Sequence, residues 1–227
     1  MKKLAVIVAG GLGSRMQASQ PKQFMQLHGQ PILWHTLQAF LSAYADLQII
    51  LVLPADYFAI GQEIVHNTGQ AGRIAITAGG DSRYQSVKNG LALVKEPAVI
   101  FVHDAVRCLV TTALIQHCYL EALKKGNAVP AISPVDSIRL VAGAGNQVLD
   151  RQMVRIIQTP QTFLSSQLLP AFEQPFHEKF TDEATVVEHT GIAIHLVEGD
   201  KTNIKITHPT DLLVAANILA ERTARQS

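Results

Sequence analysis

The chain has 227 residues, 48% of them hydrophobic and 16% charged, with a formal net charge of +1. Those proportions support one well-buried domain and exclude a disordered chain. Near-neutrality also excludes a global field that would gather nucleic acid or an anionic membrane, so any anion site must be local.

Residues 4–8 (Leu4, Ala5, Val6, Ile7, Val8) follow two lysines. The run ends at a glycine-rich turn and an arginine with no Ala-x-Ala cleavage pattern, so it reads as a buried first strand and not as a signal sequence. Residues 32–41 read as a helix with Leu33, Leu37, Phe40 and Leu41 on one face. Then come a strand at 47–53, a helix at 56–66, a strand at 74–77 and a helix at 84–94. A strand at 98–103 ends in Asp104, a helix spans 112–125 with Gly126 as its cap, and a strand covers 128–133. This alternation predicts an α/β fold, a Rossmann-like, mostly parallel sheet with helices on both faces and ligands at the carboxyl edge.

The alternation breaks at about 137–157. Ile138 to Val141, the turn Gly143-Ala144-Gly145-Asn146, and Val148-Leu149 read as an inserted β-hairpin. Such an arm is marginally stable alone and is expected to project and to be covered by a second subunit. A helix at 180–189, a strand at 193–197 and a helix at 210–222 complete a single expected domain, 1–227. Cys108 and Cys118 have no Cys-x-x-Cys or histidine companion and read as reduced packing residues, which points to a cytoplasmic setting. No apolar run approaches the roughly 20 residues of a spanning helix.

The chemistry sits at strand ends. The first strand runs into Ala9-Gly10-Gly11-Leu12-Gly13-Ser14-Arg15-Met16. Glycines let successive N–H groups face an anion. The turn is neither a Walker loop nor a good dinucleotide fingerprint, and alone it equally suits an ordinary strand-to-helix connection. Arg15, and Lys22 in Gln20-Pro21-Lys22-Gln23-Phe24, add the charge neutralisation that a triphosphate requires. Gly79-Gly80-Asp81 precedes a helix, where Asp81 also suits an N-cap and Ser86 lies one turn in, able to face the cleft. Asp104 and Arg107, in Val102-His103-Asp104-Ala105-Val106-Arg107, suit a substrate hydroxyl or metal and an anionic group, or else a supporting ion pair. His103 reads as packed behind the site. Asp150-Arg151 follows the arm, Thr159-Pro160-Gln161 marks a strand end, Thr181 reads as a helix N-cap, and Lys205 sits at the end of a late strand. There is no Ser/His/Asp arrangement and no zinc spacing, so neither a covalent nucleophile nor a metal held by protein alone is expected.

In one order, these motifs together with Val197-Glu198-Gly199-Asp200 and Asn203-Ile204-Lys205 resemble the 2-C-methyl-D-erythritol 4-phosphate cytidylyltransferases over about residues 4–219. The resemblance implies an enzyme of non-mevalonate isoprenoid biosynthesis. It would join CTP to methylerythritol phosphate, release pyrophosphate, and work as a homodimer interlocked through the arm. It implies that Ala9, Gly10, Gly11, Leu12 and Gly13 cradle the nucleotide, with Arg15 and Lys22 on the triphosphate. Lys22 and Lys205 would stabilise charge at the α-phosphate. Gly79, Gly80, Asp81 and Ser86 would frame cytosine, with Asp104 at the nucleotide and sugar. Arg107, Thr159 and Thr181 would line the sugar pocket, and Ser137 and Arg151 would reach the partner's sugar phosphate. Mg²⁺ would be carried mainly by the CTP phosphates. Cys108 stands where the family usually has proline, implying a less rigid loop; Val106 replaces the commoner alanine and Ser137 a frequent threonine. A ribitol 5-phosphate cytidylyltransferase, towards which Val106 leans, and a non-catalytic nucleotide-binding regulator are the alternatives.

Overall fold

The computed structural model describes residues 1–10 and 20–224. Strand β1 (Lys2–Val8) alternates Leu4 and Val6 towards one face with Ala5 and Ile7 towards the other, and all four are buried. A period of two with apolar residues at both phases requires cover on both sides. A small antiparallel ribbon, β2 (Gln26–Leu27) and β3 (Gln30–Pro31), leads into α1 (Ile32–Ala43). Then follow β4 (Gln48–Leu53), α2 (Phe58–Asn67), β5 (Ile74–Ala78), α3 (Arg83–Leu91) and β6 (Ala98–Asp104). β1, β4, β5 and β6 run parallel in the order β6-β1-β4-β5.

α4 (Thr112–Lys125) starts on the Thr111 side chain, which accepts the Leu114 N–H, and stops at Gly126, whose φ of +90° only glycine adopts without strain. After β7 (Asn127–Ile132), a separate two-stranded sheet is formed by β8 (Ile138–Ala142) and β9 (Gly145–Leu149). The hairpin turn is two residues, Gly143-Ala144, tighter than the sequence suggests. β10 (Ile156–Ile157) returns the chain to the main sheet beside β7.

The next elements depart from expectation. β11 (Gln161–Leu164) inserts between β6 and β7 and runs antiparallel to both, and α5 (Ser165–Ala171) follows it. Neither was legible, because β11 is short, begins in polar residues and is defined by its two neighbours. α6 is shorter than expected, Glu183–Glu188, and Asp182 rather than Thr181 is its N-cap, in a capping box with Thr185. β12 (Leu196–Glu198) pairs parallel with β7, and α7 (Pro209–Ala224) closes the chain.

Two clusters fill the layers. Leu33, Leu37 and Phe40 of α1 and Leu114, Ile115 and Cys118 of α4 pack on one face against Ile7, Leu51 and Phe101. Val87 and Leu91 of α3, Leu168 of α5 and Val186 and Val187 of α6 cover the other against Val6, Val52 and Ile100. Tyr84 locks α3 to the chain after α5, stacking on Phe172 at 4.9 Å and donating its hydroxyl to the Gln174 carbonyl at 3.0 Å. No described helix is long and apolar enough to cross a membrane.

Candidate active site

The parallel strands bring their carboxyl ends to one edge. Val8 pairs with Asp104, so the Ala9-Gly10 turn leaves β1 directly beside the end of β6. Gly11, Leu12, Gly13 and Arg15 lie outside the described residues. The base of the turn is tied down from three directions. Ala9 N–H donates to Val52 O at 2.9 Å, Ala105 N–H donates to Val8 O at 3.0 Å, and the buried Gln23 amide donates to Ala9 O at 2.7 Å. Gln23 shares a 3₁₀ turn, Lys22–Phe24, with Lys22, and Phe24 rests on Tyr57. Lys22 is itself buried, at 8% exposure.

Gly79 extends the β4 pairing, its N–H donating to Leu53 O at 2.8 Å. Ser82, not Asp81, caps α3 by accepting the Gln85 N–H; Asp81 is exposed. The Ser86 hydroxyl does not project into open space. It donates to Ser82 O at 2.9 Å and accepts Gly80 N–H at 3.1 Å. A Cβ on Gly10 or Gly79 would come within 3.3 Å or 3.0 Å of the same oxygen, so a side chain at either would make the Ser86 hydroxyl shift by a few tenths of an ångström. Ser86 thus holds the Gly79-Gly80 turn in place next to Gly10.

Asp104, buried at 7% exposure, is the centre of an ionic cluster. Its Oδ2 lies 2.8 Å from Lys205 Nζ and 3.8 Å from Arg107 Nε, and its Oδ1 accepts from Arg83 Nε at 3.2 Å. Arg83 also grips Glu183, with Nη1 to Oε1 at 2.5 Å and Nη2 to Oε2 at 3.0 Å. Burial alone would raise the Asp104 carboxyl, but Arg83, Lys205 and Arg107 outweigh it and hold the group well below the usual carboxylate range. Burial is the dominant influence on Glu183 and leaves it above its ordinary value despite Arg83. Arg83 and Glu183 carried no role in the sequence reading. They stand 100 residues apart, and no local signal connects them.

Behind Asp104 a neutral relay fixes the backbone. Asp104 N–H donates to Thr159 Oγ1 at 3.2 Å, the Thr159 hydroxyl meets His103 Nδ1 at 2.9 Å, and His103 Nε2 donates to Arg107 O at 3.2 Å. Thr159 is therefore a backing residue. His103 is fully buried, and that burial lowers its pKa to about 3. A group that stays neutral when folded but takes a proton near 6.5 when unfolded stabilises the fold above 6.5; that contribution drains away as the pH falls towards about 3. The slope is about 1.4 kcal/mol per pH unit. The melting temperature of the wild type is expected to fall more steeply than that of His103→Gln between pH 6.5 and about pH 5. Parallel thermal curves for the two would contradict this account.

Lys205 does not end a strand. It lies in an irregular segment after β12 that is anchored at both sides. Asn203, fully buried, donates its amide to Thr159 O at 2.8 Å and accepts Arg107 Nη1 on its carbonyl at 2.9 Å, while Ile206 N–H donates to Val106 O at 3.0 Å. The expected looseness around Cys108 is not what the fold provides. Cys108 is packed with Val106, Leu109 and Ile206, and burial pushes its thiol up to about 12.

Three expected residues stand apart from this cluster. Arg151 is exposed, donates to Val135 O at 2.8 Å, and with Ser133, Pro134, Val135, Glu198 and Lys201 lines a groove of about 410 Å³ at the root of the arm. Ser137 is exposed on that same root, and Thr181 is exposed with its N–H donated to Lys179 O.

The family model for 2-C-methyl-D-erythritol 4-phosphate cytidylyltransferase, IspD, matches residues 3–221. The chain belongs to this family. It is 42% identical over 219 residues to the 2-C-methyl-D-erythritol 4-phosphate cytidylyltransferase of Bacteroides fragilis, covering 96% of this chain and 100% of that one. It is 34% identical over 230 residues to that of Syntrophus aciditrophicus, covering 99% and 98%. A crystal structure of the Thermus thermophilus cytidylyltransferase superposes with a TM-score of 0.72 at 27% identity, over 95% of this chain and 98% of that one. The 4-diphosphocytidyl-2C-methyl-D-erythritol synthase of Anaerococcus prevotii has the same fold, with a TM-score of 0.83 at 24% identity over 96% and 99%. In this member of the family the described part of the cleft gathers Arg83, Arg107 and Lys205 around Asp104.

Proposed function

We propose that this chain transfers the cytidylyl group of CTP to 2-C-methyl-D-erythritol 4-phosphate, giving 4-diphosphocytidyl-2-C-methyl-D-erythritol and pyrophosphate. The observation that carries this reading is the meeting of Asp104, Arg107 and Lys205 beside the Ala9-Gly10 turn in a member of the IspD family. A phosphate oxygen of the sugar attacks the α-phosphorus, and the bond to the β-phosphate breaks as pyrophosphate leaves. The enzyme's work is to position and to neutralise charge, so no enzyme-bound intermediate is needed. Arg15 and Lys22 hold the triphosphate in the cradle of Ala9 to Gly13. Gly79, Gly80 and Asp81 frame the base, with Ser86 setting that turn. Lys22 and Lys205 meet the charge that builds on the α-phosphate. Asp104 and Arg107 engage the sugar phosphate, with Thr181 at the rim.

Among the described residues no group of three or more His, Cys, Asp or Glu side chains is placed to hold a metal ion. Glu183 is committed to Arg83, and the Asp104 carboxylate is shared among Arg83, Arg107 and Lys205. That donor set suits a hard cation whose other ligands are phosphate and water oxygens. Mg²⁺ would neutralise charge on the transferring phosphates, with Asp104 a candidate protein oxygen.

The arm exposes Leu140, Val141, Val148 and, just after it, Met153 at 86% exposure. Apolar surface of this kind on a lone hairpin supports covering by a second copy of the chain. In a homodimer of single-domain subunits, Ser137 and Arg151 would reach the partner's cleft, and sedimentation equilibrium at twice 24.7 kDa tests the assembly. A cytoplasmic setting fits the reduced, buried cysteines. The decisive assay measures pyrophosphate release with CTP and either methylerythritol phosphate or ribitol 5-phosphate. Turnover is expected with the first. Turnover confined to ribitol 5-phosphate would reassign the substrate, and none with either would leave a nucleotide-binding regulator.

A further inference from the structure

Glu183 is 1% exposed on the first turn of α6, an expensive place for a carboxylate. Its two oxygens take Nη1 and Nη2 of Arg83, and the remaining edge of that guanidinium reaches Asp104 Oδ1. Asp104 Oδ2 then faces Lys205 at 2.8 Å. If the pair served only to tie α6 to α3, its third contact, to the carboxylate at the centre of the cleft, would be superfluous. A guanidinium held by a single contact can pivot about it, whereas one that is gripped at both edges holds a single plane.

We infer that Glu183 is a positioning residue for the transfer: it locks Arg83, Arg83 sets the rotation of the Asp104 carboxylate, and Asp104 presents Lys205 to the reacting phosphate. This inference rests on the function proposed above. Removing the Glu183 charge leaves Arg83 to turn towards Asp104, which draws that carboxylate away from Lys205. The consequence falls on the chemical step, because Lys205 is misplaced and not lost. Ala9, at the base of the β1 turn, is held by Val52 and Gln23 rather than by these four residues, so CTP binding there is expected to change less than the chemical step.

The test compares wild type, Glu183→Gln, Glu183→Asp, Arg83→Gln and the Glu183→Gln/Arg83→Gln double variant as full-length proteins, by steady-state pyrophosphate release and thermal melting. Glu183→Gln is expected to lower kcat about 10- to 100-fold, the loss typical of a small misplacement of a reacting group. KM for CTP should stay within about twofold, because binding common to ground and transition states is not removed. Glu183→Asp keeps the charge and should recover part of kcat. The double variant should be no worse than the poorer single one, since both changes break the same link. Wild-type kcat in Glu183→Gln, or losses that multiply in the double variant, would overturn the inference while leaving the proposed function standing. If Glu183→Gln fails to fold, Arg83→Gln decides: its side chain is 30% exposed, and an unchanged kcat there overturns the inference equally. No turnover in the wild type would overturn the proposed function, and this inference with it.

Discussion

Lys205→Ala is expected to reduce kcat about 100- to 1,000-fold, or about 3–4 kcal/mol of transition-state stabilisation. The ammonium is held 2.8 Å from Asp104 Oδ2 and is 39% exposed, so it is anchored yet open to a ligand. An arriving phosphate would share the ammonium with Asp104, which keeps it in place, and the interaction would strengthen as charge accumulates on the α-phosphate. KM for CTP should change far less than kcat, because the contact matters most in the transition state. Single-turnover measurement of the chemical step checks this directly. A variant with near-normal kcat would remove Lys205 from the mechanism. Lys22→Ala should show the same pattern with more effect on KM for CTP, since Lys22 is proposed to hold the triphosphate as well.

Asp104→Asn is expected to damage both fold and activity. The substitution keeps size and removes the one negative charge shared by Arg83, Arg107 and Lys205. Breaking a fully buried pair costs about 3–5 kcal/mol. Arg83 and Lys205 are 30% and 39% exposed, and water screens them, so the expected cost is about 1–3 kcal/mol. For a chain of this size that is a fall in melting temperature of about 3–10 °C. Differential scanning calorimetry reads it, and an unchanged melting temperature would mean that solvent already satisfies the three cations. Because Asp104 also presents Lys205, kcat should fall by at least tenfold, about the loss expected when a reacting group is misplaced. The Asp104 carboxyl is held below its ordinary value when folded. Its stabilisation is therefore present above that value and is lost as the pH falls through the carboxylate range. Glu183, shifted upward, acts in the opposite sense and partly offsets the acid loss. The Asn variant should accordingly show a shallower decline in stability below about pH 4 than the wild type.

Much of the fold was written in the spacing of apolar residues. β1, β4, β6 and α4 were legible because strands buried on both faces are uninterrupted apolar runs and α4 has a consistent stripe with a glycine stop. The arm was legible from its glycine turn. β11 and α5 were not, since four residues beginning Gln161-Thr162 carry no distinctive period. The helix caps were displaced by one residue, Ser82 for Asp81 and Asp182 for Thr181, because neighbouring residues with capping side chains differ only in which oxygen meets the N3 amide.

By itself the sequence determined the mostly parallel α/β class, the glycine-rich stretch after β1, the cations Lys22 and Lys205, and the family. Each is a local property: a period, a glycine pattern, or residue types in a fixed order. The tertiary structure alone decided what those residues do to one another. It placed Ser86 under the Gly79-Gly80 turn, buried His103 and Thr159 behind Asp104, and set Arg151 in a groove at the root of the arm, away from the ionic cluster of its own chain. It also joined residues 83, 104, 183 and 205 into one ionic chain. Charges so far apart in sequence meet only because parallel strands deliver their carboxyl ends, and the loops that follow, to a single edge.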